Sequence, residues 1–126
     1  MGDSLNQVTL IGELRGDPEY IEGSAGEQQV RVWMATVHQW RDRAGQRHAS
    51  TDWHQIIAAG GLAERCAHML RSGQRLLVTG RLQTERCPRE DRKHPTAVIA
   101  TRVQIVAAPS RRSQSVDDEV VDADDG

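Results

Sequence analysis

The sequence predicts an all-β domain with a single helix, on three features of its residues. Several stretches alternate apolar and polar side chains with a period of two, as in 30-VRVWM-34, which is typical of a strand with one buried face. The stretch 62-LAERCAHML-70 instead spaces its apolar residues along one face of a helix. Turn-forming Gly, Pro and Asp separate these stretches. Because helices and strands do not alternate, a doubly wound parallel sheet is excluded.

The predicted elements follow one another as three strands, one helix and two further strands. We expect the strands over 7–14, 27–40, 51–59, 74–85 and 96–106. Residues 15–18, Arg-Gly-Asp-Pro, indicate a turn that ends the first strand, polar residues 41–50 indicate a hairpin loop, and Gly73 suits the position after the helix. This order predicts an OB-fold, a five-stranded Greek-key barrel with one helix between strands 3 and 4. An SH3-like barrel is the alternative, but it lacks a helix of this length.

The chain divides into a barrel domain, residues 1–107, and an acidic tail, residues 108–126. The tail cannot bury enough apolar surface to offset its conformational entropy, so we expect it to be disordered. The net charge of the whole chain at pH 7 is −2, and because the tail is strongly acidic, the barrel by itself is slightly basic. The acidic residues of the tail are Asp117, Asp118, Glu119, Asp122, Asp124 and Asp125.

Several function classes are excluded by pattern. No apolar run is long enough for a transmembrane helix, and the N-terminal residues MGDSLNQ lack the apolar segment of a secretory signal, so we expect a cytoplasmic protein with no membrane partner. Cys66 and Cys87 form no CxxC motif and are expected to be reduced. The histidines do not lie three or four residues from one another or from a cysteine, so we expect no metal and no cofactor.

Catalytic patterns are also weak. Ser50, Asp52 and His54 share a strand face and resemble a triad in residue type, but no nucleophile elbow or oxyanion loop accompanies them. Gly60-Gly61 precedes a helix without the Lys-Ser/Thr that ends a phosphate-binding loop. We therefore expect no catalytic residues and no enzyme activity.

Aromatic residues are scarce, with three Trp, one Tyr and no Phe. If Val30, Val32 and Met34 face the core, Arg31 and Trp33 face outward together. An indole that stacks on a base beside a guanidinium that binds phosphate is a common way to hold single-stranded nucleic acid. Coverage of Trp33 by a partner subunit or by the tail is the alternative. The two polar loops supply further candidate phosphate contacts: Arg41, Arg43 and Arg47 in the first, and Arg86, Arg89, Arg92 and Lys93 in the second.

Trp33 and Trp40 lie seven residues apart, so a regular strand points them to opposite faces. Both rings face the same nucleic acid only if a β-bulge or strong twist intervenes between Ala35 and Gln39. If the strand is regular, one ring lies on the other face, and we then assign Trp33 to a subunit contact.

Five stretches resemble bacterial single-stranded DNA-binding proteins, the SSB family, in the family's order over about residues 5–107. They are NQVTLIGELRGDPEY, VWMATVHQWRDRAGQ, TDWHQIIAAGGLAE, LRSGQRLLVTGRLQT and TAVIATRVQIV. The resemblance implies a homotetramer, or alternatively a dimer, that binds single-stranded DNA in replication, recombination or repair. Trp40 and Trp53 match family positions on which DNA stacks, and His54 matches one near the subunit interface. We also assign Val8 and Leu10 to that interface and Arg81 to phosphate contact.

The chain departs from the family pattern at several positions. Ala59 and Cys87 stand where the family usually has Phe and Trp, and Gly61 replaces a usual Lys. The loss of two stacking platforms would weaken DNA binding by about 2–6 kcal/mol. We hypothesise that Trp33 partly compensates for this loss by stacking on a base. The tail ends Ala-Asp-Asp-Gly instead of the family's Ile-Pro-Phe, so we expect the usual tail-docking repair enzymes not to bind it and suggest an accessory copy borne by a plasmid, phage or integrative element.

A second function class fits the reduced aromatic set. An OB-fold can act as a protein-assembly module, in a primosome, conjugation or secretion complex, with weak DNA binding. A titration with oligo-dT at two salt concentrations discriminates the two classes, because DNA binding depends on salt.

Overall fold

The structure, a computed structural model, describes residues 3–23, 25–84 and 96–109. The elements in these ranges are β1 Val8–Glu22, β2 Gln28–Arg41, β3 Arg47–Ala59, α1 Gly60–Met69, β4 Arg75–Thr84 and β5 Thr96–Ala107. The strands close into a barrel in the order β1-β2-β3-β5-β4. All neighbouring strands are antiparallel except β3 and β5, which are parallel. The predicted five-stranded OB-fold with one helix between strands 3 and 4 is confirmed.

The core forms where the period-two pattern places apolar side chains inside the barrel. Val30, Val32 and Met34 on β2 are all buried, as predicted. Burying a side chain of this size stabilises the fold by roughly 1.5–3 kcal/mol. The helix α1 adds Ala63 and Cys66 to the same core. Further buried members of the core are Leu14, Ile56, Leu76, Val78 and Val98.

Cys66 is a free thiol in this core. Burial raises its pKa above the usual value, since an apolar environment disfavours the thiolate. A thiol in this state is a poor nucleophile, so Cys66 acts as a small apolar side chain. Cys87 lies outside the described residues.

Strand β1 does not end in a turn after Leu14, and that prediction is wrong. The strand continues to Glu22, and its register with β2 shifts between Arg15 and Glu19, where Gly16 has a φ of 85°. The first part of β1 pairs with β4 and the second with β2, so the strand has to bend between its two partners. The change of partner falls at Glu13, and the Arg-Gly-Asp-Pro segment that follows interrupts the pairing with β2 as a β-bulge.

Helix α1 ends earlier than the position of Gly73 predicts. Leu70 is already extended, with φ −89° and ψ 140°, so Gly73 does not follow the helix directly. Gly73 has a φ of 96° in the turn to β4, and its N–H donates to the carbonyl oxygen of Leu14 at 2.7 Å. The glycine therefore serves a tertiary contact with β1, which local sequence does not reveal. This helix of ten residues, the only one in the described ranges, is too short and polar to cross a membrane.

Strands β2 and β3 form one long hairpin. Their register runs without a break from the pair Gln29–Ala59 to the pair Arg41–Arg47. The turn is tight, because the N–H of Asp42 donates to the carbonyl oxygen of Gln46 at 2.9 Å, so the loop predicted over 41–50 is shorter than expected. All residues from Trp40 to Trp53 are exposed. We call residues 36–52, the outer part of this hairpin together with its turn, the hairpin arm.

Candidate nucleic-acid interface

The three tryptophans lie on two faces of the β2–β3 hairpin. Trp33 pairs with Gln55, and Trp53 pairs with Ala35, so these two indoles share one face and are diagonal neighbours. Trp40 pairs with His48 and lies on the opposite face, because side chains alternate along an unbroken strand. Of the two arrangements that the sequence leaves open, a β-bulge between Ala35 and Gln39 or a regular strand, the structure has the regular strand, so Trp33 and Trp40 do not share a face.

A guanidinium group lies beside each indole of the first face. The Cζ atom of Arg31 is 5.8 Å from the ring centroid of Trp33, and the Cζ atom of Arg15 is 5.5 Å from that of Trp53. Trp33 is 38% exposed and Trp53 is 53% exposed, so both rings remain accessible. We call Arg15, Arg31, Trp33 and Trp53 the outer cluster. It combines flat aromatic surface with positive charge at two adjacent points.

The sequence by itself does not predict a role for Arg15. It falls in the segment predicted to be a turn, where its side chain has no assigned direction. In the structure β1 continues, and Arg15 pairs with Trp33 across the strands. A sequence signal existed, since Arg15 precedes a glycine that allows a bulge, but its use required knowledge of the partner strand.

Both arginines of the outer cluster also contact carboxylates. The Nη2 and Nε atoms of Arg31 lie 2.7 and 3.0 Å from Oε1 of Glu19, and its Nη1 donates to Oε1 of Gln55 at 3.2 Å. The Nε atom of Arg15 lies 2.7 Å from Oε1 of Glu13. The Arg31–Glu19 pair is partly exposed, and exposed pairs contribute only about 0–1 kcal/mol. A phosphate can therefore replace Glu19 at small cost while the guanidinium stays beside the ring.

Replacing Glu19 with Gln is expected to tighten oligo-dT binding severalfold at low salt. The change removes a carboxylate that competes with phosphate for Arg31, and the effect should shrink as salt rises. Fluorescence anisotropy of labelled oligo-dT measures it. Glu22→Gln, an equal charge change at the end of the same strand, is the control. Equal affinities for the two variants would show that Arg31 does not contact DNA.

Three further predicted phosphate contacts lie at the end of the hairpin. Arg41 and Arg47 are directly opposite each other, and the alternation of side chains places them on the same face of the hairpin as the outer cluster. Arg43 is exposed in the turn between them. The three guanidinium groups provide positive charge at this end of the hairpin, and their contact with phosphate stays a prediction.

Arg81 is exposed on β4 in the same cross-strand row as Arg31. The row runs from Arg31 through Ile57 and Ile99 to Arg81. At about 4.8 Å per strand, the two arginines are roughly 14 Å apart along the sheet. Arg81 thus extends the positive surface around the barrel. The predicted contacts Arg86, Arg89, Arg92 and Lys93 lie outside the described residues.

Trp40 stacks with two imidazoles on the other face of the hairpin arm. Its ring centroid is 5.4 Å from that of His38 and 5.3 Å from that of His48, with interplanar angles of 16° and 20°. Trp40 is 42% exposed. We call His38, Trp40 and His48 the ring file. The sequence predicts no DNA contact by either histidine, although the spacing of His38 and Trp40 places them on one strand face.

The ring file is joined to the turn by Asp42. The Nε2 atom of His48 lies 2.8 Å from Oδ2 of Asp42. This hydrogen bond, followed by one from the backbone N–H of Gln46, holds the pKa of the Asp42 carboxyl below its usual value. Asp42 therefore stays ionised over the whole neutral and mildly acidic range.

The residues assigned to a subunit interface occupy two places. The Nε2 atom of His54 lies 2.8 Å from Oγ1 of Thr36, where the hairpin arm leaves the barrel. Val8 and Leu10 are partly buried and pack against the core of their own chain. Ile11, the residue after Leu10, is 53% exposed and presents apolar surface on the outside of β1. The interface itself stays a prediction.

Within residues 3–23, 25–84 and 96–109, no three His, Cys, Asp or Glu side chains are grouped to hold a metal ion. Ser50, Asp52 and His54 lie on one strand face of β3, as expected from their spacing. His54 makes its hydrogen bond to Thr36 on β2. This arrangement anchors the base of the hairpin arm.

Comparison with known proteins places these features in a family. The model described as "Single-strand binding protein family" matches residues 5–106. The chain is 36% identical over 111 residues to "Single-stranded DNA-binding protein 1" of Chlorobaculum tepidum, which covers 86% of this chain and 68% of that protein. It is 32% identical over 108 residues to the "Single-stranded DNA-binding protein" of Xanthomonas campestris pv. campestris, with 84% of this chain and 63% of that protein covered.

Solved structures with the same fold include two that exceed a quarter sequence identity. The "Plasmodium falciparum SSB complex with ssDNA" superposes with a TM-score of 0.72 at 27% identity, covering 86% of this chain and 98% of that chain. The wild-type single-stranded DNA binding protein from Thermus aquaticus superposes with a TM-score of 0.70 at 27% identity, covering 82% of this chain and 51% of that chain.

Proposed function

The chain belongs to the single-strand binding protein family, and from that premise we propose that it binds single-stranded DNA without reading base sequence. The observation that carries this proposal is the outer cluster, in which two exposed indoles each lie beside a guanidinium. Indole faces accept any base, because every base has a π-face, and guanidinium groups bind the phosphates between bases. Relatives whose names state single-stranded DNA binding support the same function.

Trp33 is proposed to be a DNA contact in preference to a subunit contact. It shares its face with Trp53 and with the cross-strand neighbour Arg15, so the same bound strand can reach all three. Stacking contributes roughly 1–3 kcal/mol per base. Trp33 therefore supplies a platform on β2 next to the one on β3.

Trp40 is proposed to bind the same DNA from the opposite face of the hairpin arm. Since the two faces are separated by the strand edge, the DNA has to cross that edge to contact both. The exposed turn with Arg41, Arg43 and Arg47 lies at the end of this path and provides positive charge there. The arm is thereby a narrow ribbon around which single-stranded DNA bends.

The biological setting is proposed from the family. We infer a homotetramer, with a dimer as the alternative, in which the barrel domain 1–107 both binds DNA and forms the subunit contacts. Its role would be the protection of single-stranded DNA during replication, recombination or repair in the cytoplasm, near the nucleoid. The protein would act by binding alone, without a catalysed reaction.

Titration with oligo-dT at several salt concentrations tests the proposed function. We expect strong quenching of tryptophan fluorescence and an affinity that falls steeply with salt. Arg43→Gln should reduce the slope of log K against log salt by about 0.7, as expected for one lost phosphate contact to a single strand. Arg65→Gln, the same charge change on α1, is the matched control. A flat titration at every salt concentration would contradict DNA binding and favour the protein-assembly module.

A further inference from the structure

The ring file places two ionisable rings beside the stacking platform Trp40. His38 and His48 lie on different strands, yet both imidazole planes are within 20° of the indole plane. Both histidines are exposed, so water, protons and DNA can reach them. A neutral imidazole adds aromatic surface, whereas a protonated one adds a positive charge and a second N–H donor.

The charged and titratable surroundings of the ring file come from both strands and the turn. Asp42 contacts His48 at 2.8 Å. On the same face of β3, Asp52 pairs with Thr36, two residues before His38, and His54 lies two pairs further toward the barrel. The positive groups at the end of the arm are Arg41, Arg43 and Arg47. Arginines thus adjoin the ring file at the tip, and carboxylates contact only one of its two imidazoles directly among the described residues.

We propose that His38 and His48 bind DNA phosphates in their protonated form, so that the hairpin arm holds single-stranded DNA more tightly in mildly acidic solution than in alkaline solution. This inference rests on the proposed function. It adds two binding residues to the hairpin arm and a dependence on pH that the tryptophans and arginines alone do not give.

The sign of the effect follows from the charges. A fall in pH favours the protonated form of an imidazole, and each protonation adds one positive charge next to the bound strand. Asp42 remains ionised in this range, because hydrogen bonds hold the pKa of its carboxyl below the usual value. It offsets part of the charge on His48 until a phosphate replaces it. His38 therefore contributes the larger share of the gain.

Binding of labelled oligo-dT at pH 8.0 and pH 5.8, at equal ionic strength, tests the proposal. Oligo-dT is the probe because thymine does not take up a proton in this range. We expect wild-type affinity to be about fivefold higher at the lower pH, with the slope of log K against log salt steeper by about 0.7 for each histidine that binds phosphate. The double variant His38→Gln/His48→Gln should change less than about twofold between the two pH values.

Two comparisons separate this effect from a general one. His68→Gln removes an exposed histidine on α1 and should keep the full response to pH. The variant His38→Lys/His48→Lys carries fixed charges and should bind at pH 8.0 about as tightly as the wild type does at pH 5.8. All of the substituted histidines are exposed, so each variant is expected to fold, and circular dichroism checks this.

The outcomes distinguish the inference from the function on which it rests. An equal response to pH in the wild type and the double glutamine variant overturns the role of the two histidines. Tight wild-type binding that is independent of pH overturns it as well, while the proposed function stands. Absence of wild-type binding at both pH values overturns both.

Discussion

Removal of both rings of the outer cluster, in Trp33→Ala/Trp53→Ala, is expected to weaken oligo-dT binding by about 2–6 kcal/mol. Each ring provides one stacking platform worth roughly 1–3 kcal/mol, and about 1.4 kcal/mol corresponds to a tenfold change. The loss therefore amounts to between about one and four decades in the dissociation constant. Anisotropy of labelled oligo-dT at fixed salt measures it without depending on the fluorescence of the removed tryptophans.

Single variants and an aromatic control decide how the loss is divided. Tyr20→Ala removes an exposed aromatic ring, 62% accessible, from β1 and should leave the affinity unchanged. Trp33 and Trp53 are diagonal neighbours on one face, so their single effects need not add up to that of the double variant. If Trp33→Ala binds as the wild type does but shifts the oligomeric state, Trp33 is a subunit contact and not a platform.

The outward direction of Trp33 could be predicted because it depends on a local pattern. Val30, Val32 and Met34 alternate with Arg31 and Trp33, and burying the first set exposes the second wherever the strand lies in the sheet. The partners of Trp33 could not be predicted in the same way. Arg15 lies opposite it only because β1 continues past Leu14 in register with β2, a pairing between residues that are distant in sequence.

The direction of Trp40 shows why a functional expectation does not set strand register. For Trp33 and Trp40 to lie on one DNA-binding face, the strand would need a β-bulge between them. Register is instead set by the hydrophobic alternation and by the turn geometry, and the Asp42–Gln46 turn closes the hairpin without an extra residue. The result is a ribbon with aromatic residues on both faces.

The ring file was not predicted for a related reason. The spacing of the histidines along the chain is poor for metal ligation or catalysis, and no local pattern predicts that two of them stack with Trp40. Ring stacking between His48 and Trp40 depends on cross-strand pairing, which brings together residues on either side of the turn. Only the register of the hairpin shows that these residues, which are separate in the sequence, lie on one surface.

Gly80→Ala is expected to destabilise the barrel more than any surface change considered above. Gly80 is buried on β4, where the register with β5 shifts between Thr79 and Gly80. A Cβ atom there would overlap the carbonyl oxygen of Ile99 and lie 2.9 Å from its carbonyl carbon and 3.0 Å from Cα of Ala100. These are backbone atoms, which cannot rotate away as a side chain does, so β4 and β5 would have to separate locally.

Overpacking of this kind lowers the free energy of unfolding by about 3 kcal/mol. For a domain of this size, that lowers the melting temperature by roughly 12–24 °C. Gly61→Ala on α1 is the control, since its Cβ would meet only Nη1 of Arg65, at 3.6 Å, and alanine favours a helix by up to about 1 kcal/mol. Thermal and urea unfolding measure both variants. A Gly80→Ala protein within about 1 kcal/mol of the wild type would show that the β4–β5 seam shifts freely.

Because the outer cluster lies on β1, β2 and β3, the folded Gly80→Ala protein should still bind oligo-dT, which separates the stability of the barrel from the chemistry of its surface.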